Sequence, residues 1–155
     1  MSNHIEQPYK ELQKKHKLPD FALLDKEFEI STIEKPDFLL RNVRRKISER
    51  LDSAIQLLDP LIQPDAGSFV HLTEYRAINE GERKEMLKHF QSILALSLAC
   101  IDAEMSVNDA KDAEVIARAA AEWPKLRETL KPHIQKIAAS WTKSFEHKDD
   151  VGYFG

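Results

Sequence analysis

Between Asp37 and Ile62 an apolar side chain recurs every three or four positions: Phe38, Leu39, Leu40, Val43, Ile47, Leu51, Ala54, Ile55, Leu58, Leu61 and Ile62. Successive residues of an α-helix are rotated by about 100°, so side chains at this spacing share one face. Such a face persists in water only when other elements cover it. The segment therefore predicts a long amphipathic helix that requires further helices to pack on it. A sheet would need alternating β-branched runs and tight turns, and the 155 residues show no such runs and only four glycines. The expected fold is all-α: a single-domain helical bundle of four to five main helices over residues 18–146. A polar, partly disordered tail is expected at residues 1–17, with helical character in part, and a flexible one at 147–155.

Local signals place the elements. Leu18-Pro19-Asp20 starts a short amphipathic helix carrying Phe21, Leu24, Phe28 and Ile30. Pro36-Asp37 opens the long helix, with Asp37 as its expected N-cap. Pro60, lacking an amide proton, should kink or end it. Phe69, Leu72, Tyr75 and Ile78 keep a spacing of three, as a helical turn against the core would. Asn79 and Glu82 form a capping-box pattern ahead of a helix running to about Met105. That helix carries Met86, Leu87, Phe90, Ile93, Leu94, Leu96, Leu98 and Ile101. From Ile93 onward it is apolar almost all round, the pattern of a central helix. Asn108 should cap a fourth main helix with Val115, Ile116, Ala119, Ala120 and Trp123 inward. Pro124 suits the first turn of a fifth, with Leu126, Leu130, Ile134, Ile137 and Trp141 inward and a bend near Glu128 imposed by Pro132.

Composition narrows the function classes. A hydrophobic fraction of 42%, a charged fraction of 32% and a net charge of −3 describe a well-solvated globular chain and name no partner class. The single cysteine, Cys100, lies in an apolar run and reads as a small buried hydrophobe. The N-terminus is polar, and the longest apolar stretch, Ile93 to Ile101, is too short to span a bilayer. A cytosolic protein with no membrane partner is expected. There is no Gly-x-Ser-x-Gly elbow and no phosphate-cradling glycine loop. No two of the six histidines stand at four-residue helical spacing, and Glu85 with His89 has no second copy. Neither a metal nor another cofactor is expected.

The run Asp102, Glu104, Ser106, Asn108, Asp109, Asp112, Glu114 begins like a calcium loop. It then fails at Val107, where the turn needs glycine, and at Ala113, where the bidentate glutamate belongs. Its rhythm of helix, acidic turn and helix weakly resembles the tellurite-resistance TerB-type helical domains. The resemblance spans about twenty residues and departs from their Asp-Gly pair, since Ala103 follows Asp102; no function is carried over. The plainer reading is an N-cap with acidic residues at the positive end of the next helix.

What remains is charge and aromatics. Arg41, Arg44, Arg45, Lys46 and Arg50 line the flank of the long helix, opposed over residues 41–52 only by Glu49 and Asp52. Arginine favours bidentate contact with carboxylate or phosphate, so these five are the candidate contacts to an acidic partner or to phosphates. Alternatively they pair with the preceding acidic segment: Asp20, Asp25, Glu27, Glu29 and Glu34. Tyr153 and Phe154 are candidates for docking a tail on a partner or on the chain's own helices. The reading these features favour is a small, non-catalytic helical interaction or adaptor protein with a protein partner. A nucleic-acid-associated protein using the basic helix comes second. An enzyme with a metal or acid–base site assembled from several helices comes third.

Overall fold

The computed structural model describes residues 3–146. Among these residues there are six α-helices and no strand: α1 (Glu6–His16), α2 (Phe21–Phe28), α3 (Leu39–Ile62), α4 (Phe69–Arg76), α5 (Glu80–Ser106) and α6 (Asp109–Glu146), with a 3₁₀ turn at Ile30–Thr32. The long helices α3, α5 and α6 pack on one another, α2 and α4 lie against them, and α1 packs on α2. Val43, Ile47 and Leu51 of α3, Met86, Ile93 and Leu96 of α5, and Ile116 and Ala119 of α6 are fully buried. Each large aliphatic side chain removed from water in this way contributes about 1.5–3 kcal/mol.

Helix ends follow local chemistry. α5 begins with a reciprocal capping box: Asn79 Oδ1 accepts from the Glu82 amide at 2.8 Å, and Glu82 Oε1 accepts from the Asn79 amide at 3.1 Å. Asn108 caps α6, its Oδ1 accepting from the amides of Ala110 at 2.8 Å and Lys111 at 3.3 Å. α3 starts differently from the expectation. Phe38 takes the left-handed conformation, at φ 50°, immediately before Leu39. This turn shifts the start of the helix past Asp37, which is therefore not the cap; its carbonyl accepts from Asn42 Nδ2 at 2.9 Å instead. Phe38 leaves the apolar face and is 73% exposed.

The two helices expected on either side of Pro124 are one helix of 38 residues, with Pro124 and Pro132 inside it. An internal proline forfeits a backbone hydrogen bond and crowds the preceding turn, at a cost of about 3 kcal/mol. Here one apolar stripe continues across the site: Ala119, Ala120 and Trp123 before Pro124, and Leu126, Leu130 and Ile137 after it, are buried. Burial on both sides keeps a single helical register. α3 likewise passes Pro60 and ends two residues later at Ile62, with Leu61 buried.

The first residues do more than trail from the core. Ile5 and Tyr9 are fully buried. The Tyr9 hydroxyl donates to the Pro19 carbonyl, and its ring meets Phe21 edge-on with centroids 5.7 Å apart. α1 is thereby clasped to α2. At residues 68–78 the helical turn forms as α4, but none of its side chains is fully buried; Ile78, just beyond it, is. Phe69 stands edge-on to half-buried Trp141, with centroids 6.4 Å apart.

Replacing Tyr9 with alanine should therefore cost about 3 kcal/mol of unfolding free energy, the scale for emptying a buried aromatic site. Urea denaturation measures it. A loss below about 1 kcal/mol would show that α1 does not contribute to the cooperative unit.

Candidate functional site

The five basic residues of α3 do not form a common surface. Arg44 faces inward where α3, α5 and α6 meet. Its Nε donates to Asp112 Oδ1 of α6 at 2.6 Å, its Nη1 to the Cys100 carbonyl of α5 at 3.3 Å, and its Nη2 to the Glu104 carboxylate of α5. The side chains of Arg44 and Asp112 are each 3% exposed. Taking two such ions out of water costs several kcal/mol each, so the site holds only because acceptors converge on the guanidinium. Arg45 adds a second clasp on Glu104, with Nη2 at 2.7 Å from Oε1. Those two guanidiniums, Arg45 foremost, push the Glu104 carboxyl down to about 2.

Of the other three, Arg41 lies apart, and Lys46 and Arg50 line one groove with Phe28, Glu29 and Glu49. The Arg41 guanidinium sits over the Phe38 ring, 5.0 Å from its centroid. Lys46 is 3.8 Å from Glu49, and Arg50 is 3.7 Å from Glu29. Of the acidic segment before α3, Glu29 is thus the one residue ion-paired with the basic flank among the described residues. Glu27, buried in α2, instead receives Arg127 of α6 at 2.9 and 3.1 Å. Arg44 is removed from the candidate contact set because an external acid cannot reach it. Tyr153 and Phe154 lie outside the described residues.

The chemistry-bearing groups are similarly held. Cys100 is buried, and burial pushes its thiol up to about 11, away from the reactive thiolate. His133 of α6 is buried between two carboxylates of α5, with Glu82 at 3.6 Å and Glu85 at 3.5 Å. Among the described residues, no group of three or more histidine, cysteine or acidic side chains is placed so that it could hold a metal ion. No helix there is long and apolar enough to cross a membrane.

The feature that stands open is apolar. α5 is not surrounded, as its composition predicts. α3 and α6 cover one arc, with Met86, Phe90, Ile93, Leu96, Ser97, Cys100 and Ala103 beneath them. Beside that arc Leu87, Leu94, Leu98, Ile101 and Met105 are 39, 36, 64, 50 and 81% exposed. At 100° per residue they fall within a strip about 60° wide and about 27 Å long. Their steps of seven, four, three and four residues follow the heptad rule of helix-on-helix seams. The C-terminal end of the row opens into a groove toward α3, where Ile101 and Met105 face Arg45, Ser48, Glu49 and Asp52. A second groove, between α3 and α6, is lined by Leu57, Leu58, Trp123, Leu130 and Ile134, with Lys131 among its lining residues.

Truncating Arg44 to methionine leaves Asp112 charged and alone in the interior, and should cost about 3–5 kcal/mol. The pair Arg44→Met with Asp112→Leu should recover much of that loss, as read by chemical denaturation. The pH dependence follows from Glu104. Its folded carboxyl is depressed from 4.5 to about 2, so its contribution is complete above about 4.5 and disappears as pH falls through 2. Unfolding free energy should decline over that window, and less steeply in Glu104→Gln; an unchanged slope would remove Glu104 as its source. Compared with known protein families, curated proteins and solved structures, the chain matches none, so the TerB-type likeness of the acidic turn gains no support there.

Proposed function

We propose that this chain is a non-catalytic interaction protein of the cytosol, a helical bundle that docks an amphipathic helix of a protein partner along α5. One observation carries the reading: the exposed row of Leu87, Leu94, Leu98, Ile101 and Met105, ordered as a helix-pairing seam. An apolar strip of this length along one exposed helix face is a recognition surface more often than an accident of folding. Helix-in-groove recognition uses anchors three and four residues apart, the repeat this row presents. The row also runs beside the basic helix, where Arg45 and Glu49 give the groove a polar rim of the kind that sets partner orientation.

Phosphate binding by α3 is the weaker reading. Arg44 is buried, and Arg45, Lys46 and Arg50 lie within ion-pair distance of carboxylates of the same chain. A phosphate would have to displace those carboxylates; Arg41, which has no ion-pair partner among the described residues, stands alone over the Phe38 ring and gives a single cation where a phosphate track needs several.

Selection against a library of amphipathic helical peptides tests the proposal. Enriched peptides should share apolar anchors at three- and four-residue spacing, and Leu98→Glu with Ile101→Glu should abolish their binding while circular dichroism stays unchanged. No enrichment, or binding that tolerates both substitutions, would overturn it.

A further inference from the structure

We infer that the helix seated on α5 is the α5 of a second copy of this chain, set antiparallel about a two-fold axis at the level of residue 96. The inference rests on the docking reading above and names its partner. A two-fold interface must be self-complementary: what one copy presents at a given distance before the axis must fit what it presents at that distance after it. The row meets this condition. Leu87 lies nine residues before position 96 and Met105 nine after it, while Leu94 lies two before and Leu98 two after. An antiparallel copy therefore sets Leu87 against the partner's Met105 and Leu94 against the partner's Leu98. Ile101 meets the partner's Gln91, which occupies the one polar place in the heptad row.

Charge selects the antiparallel direction. On the outward flank of the row, Lys84 and Lys88 occupy the N-terminal half of α5 and Asp102 the C-terminal half. Lys88 has no ion-pair partner among the described residues. Asp102 is 67% exposed and is bridged by Lys111 at 2.6 Å through one oxygen. Antiparallel pairing about residue 96 brings Lys88 to within about 3 Å, measured along the helix axis, of the partner's Asp102, and does so twice. A parallel two-fold copy would turn this flank toward the partner's opposite flank, so Lys88 and the partner's Asp102 would not meet. The helix dipoles also favour the antiparallel arrangement. Five side chains and a short rim make an interface at the small end of specific complexes, so the dimer should be weak, with a Kd of about 10–100 μM.

Sedimentation of the full chain across about 5–500 μM tests this. The expected result is a rise from the 17.9 kDa monomer toward twice that mass. Leu98→Glu with Ile101→Glu should hold the chain monomeric throughout, with an unchanged melting temperature, because both side chains are exposed. Lys88→Glu should weaken the dimer about three- to tenfold, and adding Asp102→Lys should restore it, since the swapped charges meet again across the axis. Spin labels at Ala95 should lie near each other across the interface, and those at Ser106 about 30 Å apart along the axis. A monomer at every concentration overturns the inference, as does a dimer indifferent to Leu98→Glu or one with short Ser106 distances. A monomer that still captures the selected peptides overturns the second copy alone and leaves the docking function standing.

Discussion

A guanidinium buried at the junction of three helices limits how those helices can be arranged. Arg44 hydrogen-bonds Asp112 on α6 and both Glu104 and the Cys100 carbonyl on α5. Hydrophobic contact is forgiving about register, since a stripe of leucines accepts a neighbour displaced along its axis. A charge in a medium of low polarity is not forgiving, because one missing acceptor leaves a desolvated ion whose cost rivals the net stability of the domain. The Arg44 cluster therefore selects one alignment of α3, α5 and α6 among those their apolar stripes would accept, the use of buried ion pairs best attested elsewhere. It does so at one end of the core. Towards the N-terminus of α5, the cluster of Glu82, Glu85, His133 and Lys136 performs a similar clamping between α5 and α6.

With that alignment fixed, the chain tolerates local conformations that its sequence argues against. Pro124 and Pro132 sit inside α6 because the stripe on either side of them is held by neighbours. Left-handed residues that glycine would occupy more cheaply are Lys17, Glu29, Phe38 and Val107, all at helix ends. A β-branched residue pays most in that conformation, so Val107, between α5 and α6, is the most strained of the four. Its position is informative. The turn that Val107 makes brings Asp112 back under Arg44, so the strain is held in place by the ion pair it helps to form.

What could be read from the residues alone follows the same division between local and distant causes. The all-helical fold was legible because apolar spacing is a local signal, and so were the Asn79–Glu82 box and the Asn108 cap, which involve side chains and amides within one turn. The continuity of α6 was not legible, because proline's local penalty was overruled by contacts from elsewhere in the chain. Arg44 was seen as one of a row of surface arginines; its separation from Arg41 and Arg45 depends on acceptors 56 to 68 residues away. A hint was present, since Arg44 follows Val43 and precedes Ile47 by three residues, inside the edge of the apolar arc. The burial of Ile5 and Tyr9 had an equally thin signal, two isolated apolar residues in a polar stretch.

The open row on α5 was visible as sequence and misread as packing. An all-round apolar helix fits either a central position with neighbours on every side or a peripheral one that keeps a face for a partner outside the chain. The number of long helices decides between these. Three mutually packed long helices can cover only about half of each one's circumference, and α1, α2 and α4 are too short and lie elsewhere. Geometry alone thus leaves part of α5 bare. The bare part carries leucine, isoleucine and methionine at seam spacing, whereas the outer side of α6 carries lysines and glutamates. Keeping Leu98 and Met105 in water forgoes about 1–2 kcal/mol each relative to burial. On the proposed reading, an association along this row recovers that cost.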